Sequence, residues 1–502
     1  MIFNSLQFLI FFPLVTLLYF AFPQRVRWMW LLVASYYFYM CWNPRYAVLI
    51  AASTVITFLS GILIDRENRV ADEGKRKRRK KLWVALSFLL NLAILFFFKY
   101  WGFFSDNIVA LGGLAGVSIE LPKFDVLLPV GISFYTFQAL SYTMDVYRGE
   151  IYAERNLFKY ALFVSFFPQL VAGPIERSKN LLVQVNEPHS FDPDRVRDGL
   201  LLMLWGFFQK VVVADRIGAL VDHVYNHWNE VAGISIVVAT VLFAVQIYCD
   251  FGGYSDIAIG AAQVLGFSLM KNFNQPYLSK SCGEFWHRWH ISLSSWFRDY
   301  LYIPLGGNRK GKWRKCFNNL ATFAVSGLWH GAQWSYVAWG GLNGLYQVVG
   351  DILKPVRLKM LSALHINRES RIWSALRMVL TFCLIDFAWL FFRAPSFLTG
   401  VAMIRRAVTC LWPDALFTVG VDGSLGLYTL GLDVADFWLA MACILILAAA
   451  DIIKEKRPIR PYIARLPLAP RWIVYFACLY AILIFGAYGP GFDAAAFIYF
   501  QF

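Results

Sequence analysis

The sequence predicts an all-α, polytopic membrane protein, and three observations lead to that fold class. Hydrophobic residues make up 59% of the 502 residues, whereas charged residues make up only 16%. Apolar runs long enough to cross hydrocarbon as helices, about 20 residues each, recur along most of the chain. No ten-residue alternating pattern typical of a membrane barrel occurs. We therefore expect helical spans, whose backbones satisfy their own hydrogen bonds.

The expected spans can be placed in chain order. The first, 8–22, has no basic region before it and no cleavage site after it, so we interpret it as a retained span. The stretch 158–171 is short and suits a re-entrant or buried element, 191–228 suits an interfacial one, and 266–315 is too polar to cross and is expected in the cytoplasm. The full spans are 8–22, 28–42, 47–64, 82–104, 127–144, 234–259, 317–339, 342–352, 372–392, 437–453 and 472–487.

The basic residues indicate topology. The net charge is +15, but the cations lie in short loops between apolar runs, where cytoplasmic loops collect them, so nucleic acid is not the expected partner. Seven consecutive basic residues, Lys75 to Lys81, should stay in the cytoplasm, as should Arg309 to Lys315. With three spans before Lys75, the N-terminus falls outside the membrane of a multi-pass protein.

Cysteines and most charged groups give no sign of a metal or redox site. Eight cysteines are scattered without a CxxC pair, which favours buried thiols over disulfides or zinc. His287 and His290 are three residues apart and would share a helix face, but no zinc motif fits and packing beside tryptophans is the preferred interpretation. Asp250 and Asp256 are interpreted as ion-pair partners of nearby arginines.

His330 is the candidate for chemistry. It lies in Gly327-Leu328-Trp329-His330-Gly331, within a run expected to be one apolar helix. A neutral imidazole there can act as a general base. The alternative is a core histidine hydrogen-bonded to a neighbouring helix, and composition alone leaves both interpretations open.

Several motifs resemble the membrane-bound O-acyltransferase (MBOAT) family, and within it the bacterial branch that O-acetylates alginate. One of them is the Trp329-His330-Gly331-Ala332 motif. Two departures from that pattern are His287, where relatives usually have arginine, and Gly252, where they usually have serine. The other matching stretches, in family order, are 128–137, 145–149, 167–175, 250–256 and 284–307.

The resemblance implies a fold and a site. The fold would be a single MBOAT membrane domain over 1–502, a ring of roughly 9–12 transmembrane helices with re-entrant and interfacial helices around a central tunnel. Its parts would be N-terminal helices in 1–125, a core with the catalytic motifs in 126–350 and C-terminal helices in 351–502. His330 would be the catalytic histidine, and His290 the second polar position.

The resemblance also implies a reaction. Acetyl-CoA or a related thioester would be the donor substrate, approached from the basic side near Arg309, with no bound cofactor and no metal. The acetyl group would pass across a bacterial inner membrane to a periplasmic SGNH-type acetyltransferase or another acyl-accepting partner, for O-acetylation of an exopolysaccharide. Two alternatives stay open: a D-alanyl or longer-acyl transferase of cell-wall polymers, and a non-catalytic exporter.

The topology can be tested at the basic stretch. An Arg78→Cys thiol should resist a membrane-impermeant maleimide in intact cells and react after permeabilisation, because these cations adjoin a span and are held in the cytoplasm. The parent protein gives the background from native thiols. External labelling of the variant alone would overturn the arrangement.

Overall fold

The computed structural model describes residues 1–124, 128–411, 417–419, 425–427 and 433–488. Most of these residues are helical, which confirms the predicted class; two three-residue strands, Phe417–Val419 and Leu425–Leu427, pair antiparallel. The first twelve helices are α1 Leu6–Ala21, α2 Arg27–Met40, α3 Ala47–Arg66, α4 Glu73–Leu95, α5 Trp101–Leu114, α6 Ile132–Arg148, α7 Leu157–Ser165, α8 Phe167–Leu170, α9 Val183–Val185, α10 Pro193–Phe207, α11 Asp215–Asn226 and α12 Gly233–Leu265.

The remaining helices and the short turns complete the order. Tight 3₁₀ turns cover Pro44–Tyr46, Glu67–Arg69 and Pro276–Leu278, and wider π-helical turns cover Phe96–Tyr100, Ser178–Leu182, Phe208–Ala214 and Arg298–Tyr302. The later helices are α13 Cys282–Arg288, α14 Ile291–Phe297, α15 Lys312–His330, α16 Trp334–Ala363, α17 Arg371–Arg393, α18 Phe397–Thr409, α19 Val434–Lys456, α20 Ile459–Ala464 and α21 Leu468–Phe485.

The multi-pass membrane architecture is confirmed by the length and composition of these helices. Among the described residues, six helical segments are long and apolar enough to cross a bilayer, and α1 is apolar but shorter. The total of 9–12 spans and the central tunnel stay predictions. The six segments are Pro44–Arg69, Glu73–Leu114, Gly233–Leu265, Arg371–Arg393, Val434–Lys456 and Leu468–Phe485.

Two boundaries differ from the prediction, and a third stretch, 266–315, is seen in more detail. The expected span 317–339 is wrong, because the chain leaves the helix after His330 and restarts at Trp334, and α16 then continues through the expected separate span 342–352. The expected element 158–171 divides at Phe166, where Pro168 lacks the amide hydrogen needed to continue α7. The stretch 266–315 contains the short helices α13 and α14, about half of whose residues are buried.

The described residues form two compact units. One comprises Met1–Met203 with Ile257–Lys271, and the other Leu204–Asp256 with Asn272–Phe502. In the first unit α3 packs against α4 and α6, and α2 against α7. Buried polar side chains pair there as an apolar surrounding requires: the Ser53 hydroxyl donates to Asn91 Oδ1 at 2.6 Å.

In the second unit the closest helix pair is α15 with α16. Glycines make the approach possible, because a Cβ at Gly340 would overlap the carbonyl oxygen of Phe323 and a Cβ at Gly327 would overlap that of Tyr336. Such small residues let helix backbones come together in membranes. This contact fixes where α15 ends, and therefore where His330 lies.

Adjacent glycines on α16 provide a test of that packing. Gly340→Ala should lower the free energy of unfolding by about 1–3 kcal/mol, because the methyl group has no room. Gly341→Ala should be neutral or stabilise by up to about 1 kcal/mol, because a Cβ there meets nothing within 4 Å and alanine favours helix. Denaturant titration of both purified variants measures the difference, and equal stabilities would contradict the close α15–α16 contact.

Candidate active site

His330 is the last residue of α15, not an interior residue of a longer helix as the sequence suggested. Its side chain is 5% exposed. The imidazole meets the ring of Trp339 edge-on at 4.9 Å between centroids and that of Phe392 at 5.4 Å. Because His330 ends α15, its imidazole can pack among these aromatic rings while α15 remains packed against α16.

His290 lies at a break between two helices. α13 ends at Arg288, and His290 has φ 43° and ψ 53°, in the left-handed region, before α14 begins. The expectation that His287 and His290 share one helix face is therefore wrong: His287 is exposed, whereas His290 is fully buried. The break turns His290 inward, where its ring meets that of Phe251 at 4.7 Å.

Asn272 holds this break together. Its backbone carbonyl accepts from the amide of Ile291 at 2.9 Å, and its side-chain Oδ1 accepts from the Ser292 hydroxyl at 2.9 Å. Its Nδ2 donates to the Ser255 hydroxyl at 3.1 Å. Nothing in the sequence pattern marks Asn272, because its role depends on hydrogen bonds to residues distant in the chain.

Asn272 also determines which nitrogen of His290 carries the proton. Oδ1 of Asn272 lies 3.2 Å from Nδ1 of His290, and a carbonyl oxygen can only accept. Nδ1 is therefore the donor, and the lone pair of the neutral ring is on Nε2. A fixed tautomer is what a group needs in order to accept a hydrogen bond or a proton at a defined atom.

The structure brings the two predicted site residues together. The ring centroids of His290 and His330 are 6.3 Å apart, with an angle of 67° between their planes. Both side chains belong to the same compact unit. At this separation one small acyl group and its attacking atom can touch both rings, in surroundings that exclude most water.

A buried charge cluster lies in the same unit as the site, and one of its acids, Asp250, directly precedes Phe251, whose ring contacts that of His290. The Lys210 ammonium contacts Asp215 at 2.8 Å and Asp250 at 2.6 Å, and all three side chains are nearly inaccessible. Lys210 lies on the π-helical turn Phe208–Ala214. The predicted ion pairing is found at Asp250, where the partner is Lys210, and Asp256 accepts from the Gln209 amide at 3.1 Å.

Other predicted features are placed as follows. No group of three or more His, Cys, Asp or Glu that could hold a metal occurs in the described part of the chain. Four cysteines are buried, as expected, whereas Cys41, Cys383, Cys410 and Cys478 are exposed on the protein surface. In the basic loop, the Arg314 guanidinium donates to the Leu305 carbonyl at 3.2 Å.

Comparison with known proteins gives a consistent family signal. A model described as the membrane-bound O-acyltransferase family matches residues 151–360, which contain both histidines. The chain is 40% identical over 397 residues to the probable alginate O-acetylase of Pseudomonas aeruginosa, covering 79% of the chain and 72% of that protein. It is 37% identical over 463 residues to the corresponding protein of Pseudomonas putida, covering 91% and 89%. A peptidoglycan O-acetyltransferase of Helicobacter pylori is 31% identical over 406 residues, covering 76% and 73%.

The charge cluster yields a stability prediction. Lys210→Met should lower the free energy of unfolding by about 3–5 kcal/mol, because it removes the ammonium that lies between two buried carboxylates. Asp215→Asn should cost much less, since it leaves a balanced pair between Lys210 and Asp250. Unfolding of the purified variants in detergent checks the order, and a Lys210→Met protein as stable as the Asp215→Asn protein would contradict it.

Proposed function

The chain belongs to the membrane-bound O-acyltransferase family. On that premise we propose that it takes an acetyl group from a cytoplasmic thioester, such as acetyl-CoA, and passes it on for the O-acetylation of an exopolysaccharide such as alginate. The observation that carries the proposal is the buried pair His290 and His330, 6.3 Å apart. The names of the relatives, which act on alginate and peptidoglycan, support a polymer as the final acceptor.

In the proposed reaction His330 is the general base. Its neutral imidazole takes the proton from an attacking hydroxyl or thiol as that atom bonds to the acyl carbon, and the carbon–sulfur bond of the donor breaks. The imidazolium then returns the proton to the departing thiolate. The aromatic enclosure supports this role because it keeps water from hydrolysing the thioester.

His290 is proposed as the supporting group. With Nδ1 held by Asn272, its Nε2 is presented as an acceptor of fixed orientation. Such a nitrogen can accept from the attacking group or from the protonated form of His330, and so orient either of them. Its effect on rate would be smaller than that of the base, because it moves no proton itself.

The acyl group is proposed to leave through a carrier or partner, such as a periplasmic SGNH-type acetyltransferase. His290 is fully buried and His330 is 5% exposed. A long polysaccharide cannot bring its hydroxyls to such side chains, whereas a slender acyl carrier or a small partner group can. The protein would act in the bacterial inner membrane with its N-terminus outside, as the basic loops indicate.

The mechanism predicts distinct effects at the two histidines. His330→Gln should leave protein level largely intact while acyl transfer per folded molecule falls by about 10²–10⁴-fold. If His330 only packs in the core, its loss should instead lower stability by roughly 1–3 kcal/mol and leave activity per molecule near normal. The rate of acyl transfer from acetyl-CoA per mole of folded protein separates these two results. The same assay with longer acyl thioesters tests which acyl length the protein accepts.

Three further variants calibrate that result. His290→Ala should reduce transfer less than His330→Gln. Asn272→Ala should resemble His290→Ala, because without the Asn272 side chain the proton of the His290 ring is no longer held on Nδ1. His287→Arg should be nearly silent, since this side chain is exposed. A His330→Gln protein that turns over at the parent rate would remove the base from the mechanism.

The relay can be tested with purified components. The chain alone, given acetyl-CoA and polymer, should not acetylate polysaccharide, whereas addition of the periplasmic partner should restore transfer. Mass analysis of polymer O-acetylation provides the measurement. Full transfer without any partner would refute the relay while leaving the acyltransferase chemistry intact.

A further inference from the structure

A cavity lies in the first unit, in a different part of the chain from the histidine pair. It has a volume of about 330 Å³ and opens beside the turn between α1 and α2. The segment that follows α9 and the ring of Phe267 close its other sides. All of its lining residues are described and belong to one compact unit.

Cations dominate the polar lining. Arg25, Arg27 and Lys159 line the cavity, and Glu187 is its one acid among the described lining residues. Burial lowers the pKa of His189, so this ring adds no charge near neutral pH. The cavity therefore carries a net charge of about +2 at pH 7.

The three cations differ in what they already bind. The Arg27 guanidinium donates to the carbonyls of Phe22 at 2.9 Å and Phe20 at 3.2 Å, and so closes the turn between the helices. The Lys159 ammonium donates to Asn186 Oδ1 at 2.7 Å, which leaves two of its hydrogens. Arg25 is exposed and makes no hydrogen bond or ion pair with the described residues.

Aromatic rings form the walls of the same cavity. The Lys159 ammonium lies 5.9 Å from the ring of Trp28, and the Arg27 guanidinium 5.5 Å from that of Tyr19. Tryptophan and tyrosine beside basic residues at the ends of apolar helices are typical of the boundary between hydrocarbon and water. A cavity there meets lipid headgroups as readily as soluble anions.

We infer that this cavity binds a phosphate group, and that an anionic phospholipid headgroup is its source. Arg25 and Lys159 would contact the phosphate oxygens. Arg27 stabilises the turn between α1 and α2 and adds to the positive electrostatic potential of the cavity. Basic pockets between membrane helices bind anionic headgroups in this way. A soluble phosphate ester, including coenzyme A, shares the chemistry and is distinguished by the test.

The test compares two variants that each lose two positive charges. Arg25→Gln with Lys159→Gln removes the charges that face the cavity, and Lys77→Gln with Arg78→Gln removes two from the basic stretch of α4. The full-length protein, purified in a neutral detergent, is titrated with short-chain phosphatidylglycerol, short-chain phosphatidylcholine, coenzyme A or inorganic phosphate. The unfolding temperature at each concentration gives the apparent affinity, and the ligand-free value shows that each variant folds.

We expect phosphatidylglycerol to stabilise the parent and the Lys77/Arg78 variant alike, and the Arg25/Lys159 variant to bind it about 25-fold more weakly, a factor of about five for each charge. Stabilisation by coenzyme A or phosphate in preference to the lipid, with the same dependence on Arg25 and Lys159, would support the phosphate site but replace the lipid. Equal stabilisation by phosphatidylcholine, or equal loss in the two variants, would overturn the site.

Discussion

A backbone that leaves its helix inside an apolar protein must find hydrogen-bond partners elsewhere in the chain. Around His290 those partners come from one short segment. Asn272 accepts the amide of Ile291, and the amide of Asn274 donates to the carbonyl of Arg288, both at 2.9 Å. This pair of bonds spans the gap between α13 and α14. These bonds stabilise the end of α13 and the start of α14, between which His290 faces Phe251.

The same requirement organises the charged groups. In the second unit Lys210 is held between two carboxylates, and in the first unit Arg27 donates to two carbonyls of its own turn and to the carbonyl of His189. Buried ions in apolar surroundings persist only when paired or hydrogen-bonded. Lys159 differs from these cations because it lines an open cavity and its ammonium donates to Asn186 alone among the described side chains and carbonyls. The hydrogen bonds that a cation already makes therefore separate structural cations from those available to a ligand.

Local signals explain which parts of the fold could be predicted. The start of α3 at residue 47 follows from the onset of its apolar run, and its end two residues beyond the expected 64 follows from the basic residue that closes it. The break after His330 could not be predicted, because Gly331 and its neighbours lie within an apolar run and the interruption depends on packing between α15 and α16. Family motifs identified both histidines, but their proximity and Asn272 required three-dimensional contacts.

The left-handed backbone of His290 places a second demand on that position. For most residues with a side chain this conformation costs roughly 1–2 kcal/mol, whereas asparagine, aspartate and histidine adopt it more readily. The residue at 290 must therefore suit a strained turn as well as the chemistry beside it. Asparagine meets the backbone demand and still offers polar atoms. A substitution at residue 290 is therefore conservative only if the new side chain tolerates the left-handed backbone as well as matching the charge.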